Sequence, residues 1–219
     1  MTTHGTELNI GTNGQEDAQY VQVRPLNFRR MTLTLVGTAP YMQARFAAKS
    51  MQNMADKMKA GQQSRGKKVR EARDFDADYE GAMHKDLEGR FGIPAGAFRN
   101  AMISACRTIG FKMTIAKLSV FVDHDSLDAV DGTPLVFISG EPERTQMPVR
   151  NATGVVDIRV RPMWRAWTVK LRIKWDGDQF SQQDVVNLLA RAGAQVGVGE
   201  GRPDSKASAG LGFGTWALE

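Results

Sequence analysis

Residues 167–175 read WTVKLRIKW. Trp167, Val169, Leu171, Ile173 and Trp175 alternate with Thr168, Lys170, Arg172 and Lys174. Successive side chains of a strand point to opposite faces, so this stretch predicts an antiparallel strand with one face in the core and a row of cations on the other. Asp176-Gly177-Asp178 closes the strand. Ser181 then stands as a helix cap with Asp184 in the place of a capping-box acid, and Val185, Leu188, Leu189 and Ala192 form the buried face of the helix that follows. Gly193 is placed to end that helix. A glycine-rich run, AGAQVGVGEGRPDSKASAGLGFG (192–214), leads to a last short strand over Thr215–Leu218.

Working back toward the N-terminus, Val156, Ile158 and Val160 alternate with Asp157, Arg159 and Arg161, and predict a second basic strand. If it paired with 167–175, the cations of both would gather on one sheet face. Pro134–Ile138 is a short strand, and Lys117–Val122 reads as another. Between 92 and 110 lies GIPAGAFRNAMISACRTIG. Pro94 suits a first helical turn, and Phe98, Ala101, Met102, Ala105 and Ile109 fall on one face, with Arg99, Asn100, Ser104 and Arg107 on the other. Cys106, the sole cysteine, lies among the apolar positions and is read as a buried thiol. Met31–Val36 is a half-buried strand. Between these parts, 42–59 is helical with a methionine stripe (Met51, Met54, Met58), and 61–74 is a basic run holding Lys67, Lys68 and Arg70. Asp74–Gly89 reads as an acidic helix. Residues 42–90 thus form an inserted helical and basic lobe, and residues 1–20, polar and glycine-rich, a flexible N-terminal arm. Residues 21–219 otherwise read as one domain.

The order strand, helix, strand, strand, helix, glycine-rich loop, strand predicts an α+β chain with a ferredoxin-like, RRM-like βαββαβ core and an antiparallel sheet. Two stretches support the same reading. GIPAGAFRNAMISA resembles the opening of the first helix in the RAMP superfamily of CRISPR-associated proteins. AGLGFGTWAL (209–218) resembles the glycine-rich loop and last strand of that superfamily, and the likeness takes in phage-encoded relatives. The resemblance implies a subunit that oligomerises along a single RNA strand. It would grip the strand's backbone with the start of the first helix, at Arg99 and Asn100, and with the glycine-rich loop.

The chain has 219 residues, 42% of them hydrophobic, and a formal charge of +5. A folded protein with a polyanionic partner is expected. The candidate nucleic-acid contacts are Lys67, Lys68 and Arg70 of the basic run; Arg99, Asn100 and Arg107 of the first core helix; Arg159, Arg161, Lys170, Arg172 and Lys174 of the two basic strands; and Arg202, Lys206, Gly210, Gly212 and Gly214 of the glycine-rich loop. Glycines there would let the backbone approach a phosphate closely. Trp164 and Phe213 are candidates for base stacking, with burial the simpler expectation for each. His4, His84 and His124 lack ligand spacing, so no metal is expected. Neither a phosphate loop nor a nucleophile elbow is present, GVGEGRP follows a helix rather than a strand, and no cofactor and no enzyme are expected. No signal peptide or apolar span is evident, which predicts a cytoplasmic protein without a membrane partner. The expected function is binding of single-stranded nucleic acid, RNA before DNA, by a homo-oligomer or multi-subunit complex. The alternative is a phage structural or assembly protein that uses the same fold for protein contacts.

Overall fold

In the computed structural model, the described residues are 23–45, 48–59, 73–150, 156–205 and 211–219. The predicted arm 1–20, Lys67, Lys68, Arg70, Lys206 and Gly210 lie outside them. The strands are β1 (Phe28–Gly37), β2 (Tyr41–Met42), β3 (Gly92–Pro94), β4 (Val120–Asp123), β5 (Ser126–Leu127), β6 (Pro134–Phe137), β7 (Glu143–Arg150), β8 (Val156–Trp164), β9 (Thr168–Asp176) and β10 (Trp216–Leu218). The helices are α1 (Ala48–Lys59), α2 (Phe75–Gly81), α3 (Ala95–Ala105), α4 (Met113–Ser119) and α5 (Gln182–Arg191). The protein is α+β with antiparallel sheets. One has four strands in the order β10-β1-β9-β4, and two have three, β2-β8-β7 and β3-β6-β5.

The alternation along β9 sets the central sheet. Val169, Leu171, Ile173 and Trp175 are buried, while Lys170 and Arg172 on the other face are exposed. Directly paired residues share a face, so register carries this division into the neighbours. Met31, Leu33 and Leu35 of β1 lie opposite Ile173, Leu171 and Val169, and Val120 and Val122 of β4 lie opposite Trp175 and Ile173. On that inner face α3 and α5 pack with Phe98, Met102, Val185, Leu188 and Leu189, all buried. Phe98 meets Trp216 of β10 edge to face, centroids 5.6 Å apart. The capping box at Ser181 is complete: its hydroxyl accepts from the Asp184 amide at 3.1 Å and the Asp184 carboxylate accepts from the Ser181 amide at 3.0 Å.

Tertiary contacts overrode several local readings. Residues 113–119, read in part as strand, are helical. The guanidinium of Arg99 donates to the carbonyls of Lys117 and Val120 and so satisfies the end of α4. The acidic helix stops at Gly81 rather than Gly89, because Met83 and His84 are drawn into the core and the His84 amide donates to Gln43 Oε1. Beyond Ala105 the first core helix tightens to a 3₁₀ turn, Cys106–Ile109, which rotates Ile109 off the buried face and leaves it 48% exposed. Gly193 does not end α5. The chain continues through a π-turn, Ala192–Val196, and a Cβ on Gly193 would overlap the Trp216 backbone. Cys106 is buried as expected. The two basic strands do not pair: β8 lies between β2 and β7, and β9 between β1 and β4. No described helix is long and apolar enough to cross a membrane.

Candidate nucleic-acid interface

Among the described residues, the outer face of the central sheet carries the exposed Phe28, Arg30, Thr32, Lys170 and Arg172, and β9 runs down the middle of it. Lys174 lies opposite Arg30 of β1 and Phe121 of β4; Arg172 lies opposite Thr32 and Asp123; Lys170 lies opposite Thr34. Phe28, at the start of β1 and 39% exposed, meets Phe121 edge to face at 5.8 Å. The Lys174 ammonium stands 5.1 Å from the centroid of Phe28 and 5.2 Å from that of Phe121, a double cation–π contact that fixes the rings. Arg172 pairs with Asp125 at 2.8 Å and donates to the His124 carbonyl. Arg30, its side chain 69% exposed, reaches Asp123 only at 3.9 Å. Lys170 is exposed and has no hydrogen bond or ion pair among the described residues. This face can therefore offer an aromatic platform at one end and cations along its length.

The remaining candidates lie around α3 and the glycine-rich loop, toward the other side of the sheet, and most are engaged within the chain. Arg99 holds the end of α4, and its guanidinium stands 5.2 Å from the centroid of the Phe121 ring. Arg107 pairs with Asp204 at 2.6 Å. Arg159 and Arg161 both close on Glu200, at 2.5 and 2.8 Å. Arg202 donates to the Gly199 carbonyl at 3.1 Å. Asn100 is exposed beside Ser104 and the loop Val196–Gly199, in a groove of about 250 Å³. Trp164 is fully buried, its indole N–H donating to the Gly140 carbonyl, so it presents no face to a base.

The glycine-rich loop approaches closely, but what it approaches is its own chain. The Val198 amide donates to the Gly214 carbonyl, the Gly214 amide to Pro40, and the Glu200 amide to Met42. A Cβ on Gly214 would overlap the Val198 carbonyl, whereas one on Gly212 would meet nothing within 4 Å. Close approach to a ligand thus fits Gly212 and not Gly214.

The reading of residues overlooked Phe28, Arg30 and Phe121. A signal was present for two of them: extending the β1 alternation back to Phe28 puts Phe28, Arg30, Thr32 and Thr34 on one face. A polar cluster, buried at His84 and Asp128 and exposed at Asp131, lies elsewhere in the fold. Arg45 reaches Asp128 Oδ1 and Asp131 Oδ2, each at 3.0 Å, and His84 Nδ1 lies 2.8 Å from Asp128 Oδ2. The ligand atoms of His84, Asp128 and Asp131 lie within 4.8 Å of one another, a spacing that suits a metal ion. The Arg45 guanidinium already supplies the positive charge there. Nothing local in the sequence links positions so far apart.

Burial alone would raise the Asp131 pKa, but hydrogen bonds from Thr133 and the Arg45 guanidinium hold it down to about 2. A carboxyl whose pKa falls on folding adds stability that is present above its unfolded value and is lost as pH drops through the folded one. The melting temperature should therefore fall between about pH 4 and pH 2. Asp131→Asn should lower it at neutral pH and flatten that acid limb. An unchanged limb in thermal melts would remove this role from Asp131. No protein-family model matches the chain, and comparison with curated proteins returns no match.

Proposed function

We propose that the protein binds single-stranded nucleic acid across the outer face of the four-stranded sheet, RNA before DNA, and that copies assemble along the strand in the cytoplasm. Binding rather than catalysis is its work. The observation that carries this reading is the juxtaposition of Phe28, Phe121 and Lys174 with Arg30, Lys170 and Arg172 on one sheet face. Bases stack on exposed aromatic rings without regard to sequence, and neighbouring cations neutralise phosphates.

The core is read as ferredoxin-like. Elements β1, α3, β4, β9, α5 and β10 follow the βαββαβ order, and the sheet order β10-β1-β9-β4 with every neighbour antiparallel supports the split βαβ arrangement. The two stretches that carry the resemblance to the RAMP superfamily meet, since Phe98 of α3 packs edge to face on Trp216 of β10. The preference for RNA rests on that resemblance.

Titration of fluorescent single-stranded RNA and DNA at several salt concentrations tests the reading. The expected result is affinity for both, little dependence on sequence, and a steep fall with salt. Affinity that is flat with salt, or absent for both strands, would overturn it.

The alternative, a phage structural or assembly protein that uses the fold for protein contacts, would have a different surface to use. A groove of about 670 Å³ between the 3₁₀ turn and α5 is lined by Ile109, Phe111, Phe180 and Leu188. Clean oligomers free of nucleic acid, by absorbance ratio on purification, would support that alternative.

A further inference from the structure

A cleft of about 610 Å³ opens at the start of α3, between β8 and the turn Gly199–Arg202. Of the arginines around it, Arg45 is held by Asp128 and Asp131, and Arg73 by Asp78 and Asp157. Three others remain. Arg159 and Arg161, two residues apart on β8 and so on one face, share the single carboxylate of Glu200, and Arg202 has, among the described residues, a carbonyl partner alone. Three guanidinium groups share one carboxylate at this end, while around the whole cleft the five arginines are matched by five carboxylates, Asp78, Asp128, Asp131, Asp157 and Glu200.

The surroundings are rigid. Gln43 Nε2 donates to Tyr41 Oη and to the Gly92 carbonyl, while its Oε1 accepts from the His84 amide. His84 Nδ1 is tied to Asp128, and its Nε2, without a partner among the described residues, is left for the cleft. Pro94 and Ala97 form an apolar wall, so the start of α3, which has no side-chain cap, borders the cleft.

We propose that this cleft binds a phosphate monoester of mononucleotide size, with Arg159, Arg161 and Arg202 on the phosphate and His84 Nε2 as a further polar contact. A phosphate would compete with the one shared Glu200 carboxylate for three guanidinium groups, guanidinium forks suit its oxygens, and the volume lies within the range of small-ligand pockets. The ligand is a free nucleotide or the 5′-phosphate end of a strand. The proposal does not rest on the sheet-face reading, because none of these residues lies on that face.

The test is calorimetric titration of the full chain with adenosine and uridine 5′-monophosphate and with the corresponding nucleosides. One site is expected, with the nucleosides at least tenfold weaker. Arg202→Gln loses only one hydrogen bond to a carbonyl, so it should fold, and it should weaken nucleotide binding about tenfold or more. Arg161→Gln should do the same, and Arg202→Gln decides if that variant fails to fold. A Lys170→Gln, Arg172→Gln, Lys174→Gln variant should bind the nucleotide as the parent does. In that background, tighter binding of a short oligonucleotide with a 5′-phosphate than without one identifies the strand end as ligand; equal binding identifies the free nucleotide. Absence of nucleotide binding at millimolar concentration, equal binding of nucleoside and nucleotide, or a folded Arg202→Gln with parental affinity would overturn the proposal.

Discussion

Replacing Gly214 with alanine is expected to destabilise the protein by about 3–5 kcal/mol, enough to unfold a marginal domain. Two effects add. Gly214 has φ +67°, a region that a side chain enters at a penalty, and its added Cβ would overlap the carbonyl of Val198. That carbonyl belongs to backbone pinned on both sides, by the bonds from the Val198 amide to Gly214 and from the Glu200 amide to Met42, so it has nowhere to move. Gly212→Ala separates the two effects. Gly212 has φ +69° but open space around it, so that change should cost only about 1–2 kcal/mol. Urea unfolding of both variants is the measurement. Equal midpoints would mean that the loop is not closed on itself through Gly214.

The second large effect is on binding. Changing Lys170, Arg172 and Lys174 together to glutamine should weaken single-stranded RNA binding by roughly two orders of magnitude and lower the log–log salt slope by about 2, at about 0.7 for each phosphate no longer neutralised. Phe28→Ala should weaken binding roughly 5- to 150-fold, the range for losing one stacked base, with the salt slope intact. The distinction separates charge from stacking on the same face. Stability should change little, since these side chains lie outside the core. Arg172 and Lys174 are the exceptions: Arg172 holds Asp125, whose other oxygen accepts from the Phe137 amide, and Lys174 holds the rings of Phe28 and Phe121. A Lys170→Gln, Lys174→Gln double variant keeps the Arg172–Asp125 pair and should still lose most of the salt slope. Unchanged affinity in the folded triple variant would reduce the row of cations to an ordinary solvated surface.

Short-range patterns are reliable where one surface decides how a residue is placed. The alternation of β9, the capping box of α5 and the apolar face of α3 up to Ala105 all hold. Strand β7 went unrecognised because ERTQMPVR is polar and carries Pro148, which an edge strand tolerates and a central one does not. Its partner β8 was legible, but its place in a separate sheet was not. The cations of β8 and β9 were therefore expected together and are found apart.

By itself the sequence determined which faces of β9, α3 and α5 are buried, because periodicity of apolar residues and local caps act within a few positions and are strong enough to set an element's orientation. It determined the α+β class by the same means. Only the tertiary structure decided that Phe28 and Phe121 meet around Lys174, that Glu200 draws in Arg159 and Arg161, and that His84 reaches Asp128 across the chain. The glycine-rich loop shows why. Its glycines were legible as a demand for close approach, but what they approach is set by chain segments such as Pro40 and Met42, far away in sequence and brought near only when strands pair. Local propensity acts on neighbours in the chain, whereas charge neutralisation and backbone packing act on neighbours in space.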